Sequence, residues 1–113
     1  MAVATEPIAS LAEARGRSHT SRPAFVAVDS IAQADVAVGQ VGAAGGRSVL
    51  KVLDTCMDAT LAGAVDAICF APLNKQAMKL GGLKHEDELH HFAEYLKVEG
   101  YFCEFNTLDG LWT

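Results

Sequence analysis

Apolar residues fall into short, sharply bounded groups along the chain, and their spacing predicts strands and helices in alternation. Residues 24–28 (Ala-Phe-Val-Ala-Val) form a compact apolar run before Asp29 and Ser30, with the length and residue mix of a strand. From Arg47 the inward pattern runs through Val49, Leu50, Leu53, Cys56, Met57, Thr60 and Leu61. That is the spacing of an amphipathic helix of about four turns, with Gly63 placed to close it. Residues 65–71 are almost continuously apolar up to Pro72, as a buried parallel strand reads. Asn74 then stands as the N-cap of a short helix through Lys75, Ala77, Met78 and Leu80, ended by Gly81-Gly82. A third helix starts near Asp87, turns Leu89, Phe92, Ala93 and Leu96 inward, and stops before Gly100. Tyr101, Phe102, Cys103 and Phe105 mark another candidate strand, and residues 108–113 read as a turn entering one more, on which the chain stops.

Helix, tight turn and buried strand make half of an α/β unit, so the pattern predicts an α/β fold of parallel strands and amphipathic helices. Residues 1–22 are small and polar, with at most one helical turn at Ile8, Leu11 and Ala12, and read as a poorly ordered N-terminal arm ahead of a partial α/β domain over residues 23–113. Parallel strands need helical cover on both faces, which so short a chain supplies only in part; self-association is expected to complete it.

Composition narrows the classes. The chain has 113 residues, 50% of them hydrophobic, enough for one small core and too few for two domains with a cleft each. Nine basic against 14 acidic residues give a net charge of −5, which predicts no nucleic-acid partner and no anionic membrane surface. The imbalance is local: residues 84–113 hold seven acidic and two basic side chains. No apolar run reaches the roughly 18 residues that span a bilayer, and no basic n-region precedes an apolar stretch, so a soluble cytoplasmic protein is expected. Cys56, Cys69 and Cys103 are widely separated and set among apolar neighbours, the pattern of buried free thiols.

Candidate chemistry concentrates at two places. At the strand-to-helix junction Phe70-Ala71-Pro72-Leu73-Asn74-Lys75, unpaired N–H groups of a helix start and the Lys75 ammonium would suit a carboxylate or phosphate. The alternative is that Asn74 only caps and Lys75 is solvated. In His85-Glu86-Asp87-Glu88-Leu89-His90-His91, the pairs Glu86/His90 and Asp87/His91 have the four-residue spacing that can hold a metal. The segment misses HExxH by one position, a rotation of about 100°. Its alternative reading is an acidic helix start that favours the dipole and pairs with the histidines one turn on. The glycines at 39, 42, 45 and 46 contain neither GxGxxG nor a GK[ST] ending and read as a loop.

Residue order adds a resemblance. Gly39-Gln40-Val41 through Gly46-Arg47, Leu61-Ala62-Gly63-Ala64-Val65-Asp66-Ala67-Ile68, Ala71-Pro72-Leu73-Asn74-Lys75, Gly81-Gly82-Leu83 and the acidic helix start together resemble the 4-hydroxythreonine-4-phosphate dehydrogenase (PdxA) family over residues 24–113. Members are considerably longer, so the resemblance is that of an internal fragment of a divergent member. It implies a partial three-layer α/β/α fold of the isocitrate/isopropylmalate dehydrogenase-like type and a homodimer. It also implies an enzyme of pyridoxine biosynthesis that uses a divalent metal ion and NAD or NADP to oxidise a secondary alcohol of a hydroxy acid, in some cases with decarboxylation. In such chemistry the metal polarises the alcohol oxygen as hydride leaves.

The resemblance places the metal ligands and the main cofactor contacts outside these residues, so it assigns no catalytic residue and no metal ligand here. The 113-residue chain alone is expected to bind neither group and to be inactive. It assigns substrate contacts to Asn74, Lys75, His85, Glu86 and Asp87. Where family members read Gly-His-Thr-Glu, this chain has His85-Glu86-Asp87-Glu88. An ungapped match puts Glu86 and Asp87 on the substrate positions; a slip of one residue leaves His85 there. Carboxylates facing a phosphate repel it unless a cation intervenes, which opens the substrate to related hydroxy acids. Two functional classes stand at this point: a piece of a metal- and nicotinamide-dependent dehydrogenase, and a truncated binding domain without catalysis.

Overall fold

A computed structural model describes residues 3–17, 21–100 and the paired positions 107–108 and 111–112. They divide into two units, Met1–Leu83 and Lys84–Thr113. Among the described residues the fold is mixed α/β, with three α-helices, one parallel strand pair and one antiparallel pair.

The first unit opens with β1 (Glu6–Pro7), which lies parallel to β2 (Ala24–Phe25) in the register Glu6↔Ala24 and Pro7↔Phe25. Pro7 has no N–H to give, and the ladder is carried by its neighbours. Glu6 N–H donates to the Pro23 carbonyl and Ile8 N–H to the Phe25 carbonyl, each at 2.9 Å. The segment expected to be a poorly ordered arm thus supplies the partner of β2, and a 3-10 turn follows at Leu11–Ala14. The strand expected over residues 24–28 is confined to Ala24–Phe25, both exposed. A two-residue partner offers ladder bonds for no more than that.

Helix α1 (Ala43–Leu61) is 19 residues long and begins four residues before the expected start, running through Gly45 and Gly46. Glycine inside a helix costs about 1 kcal/mol relative to alanine, which is why the sequence alone reads as a loop there. The compensation lies in α2 (Lys75–Gly81), the helix that packs on α1. Gly46 is buried against the backbone of Ala77. The end of α1 follows the expected design: Gly63 takes a left-handed φ of 68°, while Gly63 N–H reaches the Thr60 carbonyl at 2.9 Å and Ala64 N–H the Ala59 carbonyl at 2.8 Å. The buried hydrophobic side chains described in this unit are Leu53, Met57 and Ala59 on α1, the fully buried Met78 on α2, and Leu83 just beyond it.

The expectation of a buried parallel strand over residues 65–71 is corrected. The segment forms no strand and has no ladder partner among the described residues, and Ala67, Cys69, Phe70 and Ala71 are exposed. An apolar run becomes a buried strand only where flanking strands receive it, and among the described residues no strand pairs with this one. The expectation of buried thiols falls with it at Cys69, which is exposed, while Cys56 is half-buried. Cys103 lies outside the described residues.

In the second unit, α3 (Glu88–Tyr95) buries Ala93, leaves Leu89 and Phe92 half-buried and exposes Leu96. Its last turn is closed without glycine. Lys97 adopts φ 55° while Lys97 N–H donates to the Glu94 carbonyl at 3.0 Å and Val98 N–H to the Ala93 carbonyl at 2.9 Å. β3 (Thr107–Leu108) and β4 (Leu111–Trp112) pair antiparallel, Thr107 opposite Trp112 and Leu108 opposite Leu111. The further strand expected within residues 108–113 is thus found at Leu111–Trp112, paired back on Thr107–Leu108. The strand expected at Tyr101, Phe102, Cys103 and Phe105 lies outside the described residues. Among the described residues no helix is long and apolar enough to cross a membrane.

Candidate functional site

The Asn74-Lys75 turn forms as the local sequence dictates. Asn74 keeps an extended backbone (φ −87°, ψ 100°), so its Oδ1 can swing over the first turn of α2 and accept the Ala77 N–H at 2.9 Å. Its carbonyl accepts the Met78 N–H at 3.0 Å. Lys75, the first residue of α2, is exposed. Gly82 ends the helix at φ 115°, where Leu83 N–H returns to the Met78 carbonyl at 2.9 Å and Leu83 itself is buried. A seven-residue helix, too short to persist alone, is thereby fixed at both ends.

His85, Glu86 and Asp87 belong to the second unit. Asp87 is the N-cap of α3, with φ −151° and ψ 178°, and its Oδ1 accepts the His90 N–H at 3.0 Å. The same oxygen lies 2.6 Å from His90 Nδ1. His85, two residues ahead of the cap, is bonded through Nε2 to Glu94 Oε2 at 2.6 Å. Glu86 is exposed. The structure thus joins Asp87 to His90, at a spacing of three, and draws His85 to a carboxylate nine positions on. The hydrogen bond from His85, then its charge, hold the Glu94 carboxyl below the usual carboxylate range against an opposing desolvation, and Lys84 and His91 add still smaller pulls downward.

Two groupings escape the sequence reading. Glu94 gives no signal, because His85 precedes the helix and helical periodicity says nothing about its partner. Gly46 and Gly81 read as loop and terminator; their close approach shows only in three dimensions. Among the described residues no three His, Cys, Asp or Glu side chains converge where a metal ion could be held. The four-residue spacing of Glu86/His90 and Asp87/His91 therefore does not build a metal centre from described residues. Part of the glycine-rich stretch is taken into α1, so it forms no open phosphate cradle. A cavity of about 460 Å3 in the first unit is walled by Leu11, Val26, Val28, Asp58 and Ala59 with Arg15 at its side, and none of the five candidate residues lines it.

These features define a mixed α/β protein that presents a capped Asn-Lys turn in one unit and a histidine-carboxylate cluster in the other. The family model of the pyridoxal phosphate biosynthetic protein PdxA matches residues 2–113, and the chain belongs to that family. It is 50% identical over 74 residues to a Pseudomonas aeruginosa protein named "Putative 4-hydroxythreonine-4-phosphate dehydrogenase 2", covering 66% of this chain and 22% of the relative. A Pasteurella multocida protein named "Putative 4-hydroxythreonine-4-phosphate dehydrogenase" is 46% identical over the same coverage of both chains. A Rhizobium meliloti protein with the same name as the first is 34% identical over 100 residues, 88% of this chain and 29% of the relative. The chain thus spans less than a third of the length of these curated relatives. No solved structure matches it.

Proposed function

We propose that this chain is part of an oxidoreductase that oxidises the secondary alcohol of a hydroxy acid, 4-hydroxythreonine-4-phosphate or a close relative, at the expense of NAD or NADP and with a divalent metal ion, with decarboxylation as a following step. The observation that carries the reading is the family match along almost the whole chain, which includes the Asn74-Lys75 turn. In this reading residues 23–113 form part of a three-layer α/β/α domain of the isocitrate/isopropylmalate dehydrogenase-like type, preceded by the segment 1–22. The apolar segment 65–71 joins a larger parallel sheet, and the complete enzyme is a cytoplasmic homodimer.

Among the described residues no group of His, Cys, Asp or Glu side chains converges to hold the metal, and in this reading the metal and the nicotinamide are held by other parts of the complete enzyme. The work of the described residues is to hold the substrate. Lys75 supplies a point charge for a phosphate or carboxylate group, and Asn74 keeps the turn in place by capping. His85, engaged by Glu94 at Nε2, keeps Nδ1 as its second polar atom for a substrate oxygen. Asp87 bonds to the His90 ring, which engages a carboxylate oxygen that would otherwise face and repel a phosphate. Glu86 is the remaining substrate contact in this reading.

The test is an assay of the complete protein that carries this segment, supplied with divalent metal and either nicotinamide cofactor. Growth of reduced-cofactor absorbance with 4-hydroxythreonine-4-phosphate is expected, and weaker growth with the unphosphorylated acid. Failure to reduce cofactor with any hydroxy acid of this class overturns the proposal.

A further inference from the structure

We propose that Gly46 and Gly81 are positioning residues for the Asn74-Lys75 turn: they let α2 sit deep enough against α1 to fix where Lys75 stands. The inference rests on the reading of Lys75 as a substrate contact. A Cβ built on Gly46 would lie 1.8 Å from the Ala77 carbonyl oxygen, 2.4 Å from its carbon and 3.0 Å from Met78 N. One on Gly81 would lie 2.5 Å from both Arg47 N and the Gly46 carbonyl carbon. Every obstructing atom is backbone, so no rotamer change makes room. Non-bonded carbon atoms settle at about 3.5–4.0 Å; a methyl at either position therefore displaces one helix from the other. Gly42 and Gly45 differ, since a Cβ on either meets nothing within 4 Å.

The displacement has a direct route to the turn. The Ala77 peptide blocked by a residue-46 methyl belongs to the residue whose N–H is held by Asn74 Oδ1 at 2.9 Å, two positions after Lys75. Moving that residue pulls on the cap, and the cap carries the turn with it. A misplacement of about 1 Å costs up to a hundredfold where a group must meet a substrate.

The test uses the complete protein that carries this segment, titrated with 4-hydroxythreonine-4-phosphate, following the backbone amides of Lys75, Gln76 and Ala77 by NMR. Gly46→Ala and Gly81→Ala are expected to weaken binding tenfold or more while the far-UV helical signal persists, and Gly45→Ala to leave Kd within twofold. If a variant does not fold, hydrogen exchange of the wild-type protein decides. Saturation with the probe should slow exchange at Arg47 and Ala77 more than at Leu53 and Met57 on the same helix pair, since stabilisation of the whole unit by binding slows all four alike. Unchanged affinity in a folded Gly46→Ala or Gly81→Ala variant overturns the inference, as does slowing at Arg47 no greater than at Leu53 and Met57. Lys75→Ala separates the two levels. If it weakens binding and the glycine variants do not, only the positioning role falls. If it binds as the wild type does, or if the wild-type protein binds no probe, the Lys75 reading falls and this inference with it.

Discussion

Asp87 holds His90 twice from a single oxygen, at the backbone N–H (3.0 Å) and at the ring Nδ1 (2.6 Å). The first bond needs only a cap acceptor; the second also needs the imidazole to rotate back over the turn. Asp87→Ala should lower the stability of α3 by about 1 kcal/mol. Asp87→Asn should recover most of that loss, since asparagine caps as well as aspartate. Amide exchange across residues 88–95 measures both, and equal losses in the two variants would show that charge, and not the cap, carries the interaction.

The Asn74-Lys75 turn divides two roles between adjacent residues. Asn74→Ala removes the acceptor of the Ala77 N–H and should cost about 1 kcal/mol of folding stability whatever the substrate. Lys75→Ala removes an exposed cation from a first helical turn, where the dipole slightly disfavours it, and should leave stability almost unchanged. In the complete enzyme it should lower kcat/KM about ten- to hundredfold, the loss of one charge-assisted hydrogen bond. Denaturation midpoints and steady-state kinetics on the same two variants check the division; an unaltered kcat/KM for Lys75→Ala removes that residue from the site.

What the sequence disclosed and what it hid follow from the range of the interactions. The Asn74 cap, the Gly63 and Gly82 closures and the Asp87 start were legible because each is settled within about six residues. The start of α1 was not, since the reason for Gly46 sits at Ala77, 31 positions away on another helix. The run 65–71 was misread because apolar composition states what a segment would bury against, and the flanking strands that would receive it are not among the described residues. The turn back to Leu111–Trp112 did have a signal, Asp109-Gly110 between two leucines, a strong short-range hairpin mark. The His85 to Glu94 bond had none.

That bond makes the second unit sensitive to acid. The folded-state pKa of Glu94 lies below its ordinary value of 4.5, chiefly through the hydrogen bond from His85. A carboxyl depressed on folding stabilises the fold above its unfolded pKa, and the contribution fades as pH falls through the folded value. His85→Gln should return the Glu94 titration, read from its side-chain carboxyl carbon by NMR, toward 4.5, and should flatten the acid limb of α3 stability. A Glu94 midpoint unmoved by the substitution would show that the pair does not persist in solution.

Core and surface on α2 should separate cleanly. Met78 is fully buried, while Leu80, two residues on, is 56% exposed. Met78→Ala should cost about 2–5 kcal/mol through lost transfer energy and the cavity left behind, and in so small a core that should abolish cooperative unfolding of the first unit. Leu80→Ala should fall within about 0.5 kcal/mol. Near-equal losses in thermal melts would mean that Leu80 is covered in solution.

Lys97 closes α3 at φ 55°, a left-handed position that glycine adopts without cost and other residues do not. The strain is about 1–2 kcal/mol for a residue with a Cβ. It is borne because the closing bonds from Lys97 to the Glu94 carbonyl and from Val98 to the Ala93 carbonyl require that turn. Lys97→Gly relieves the strain and keeps both bonds, while the freer unfolded chain takes back part of the gain. The net should be a stabilisation of α3 by about 0.5–1 kcal/mol. Lys97→Val tests the same geometry from the other side, since a β-branched residue tolerates positive φ worst, and should destabilise. Exchange rates at Val98 and Leu96 report the order Gly, Lys, Val; a reversed order would mean that the helix ends in solution by some other turn.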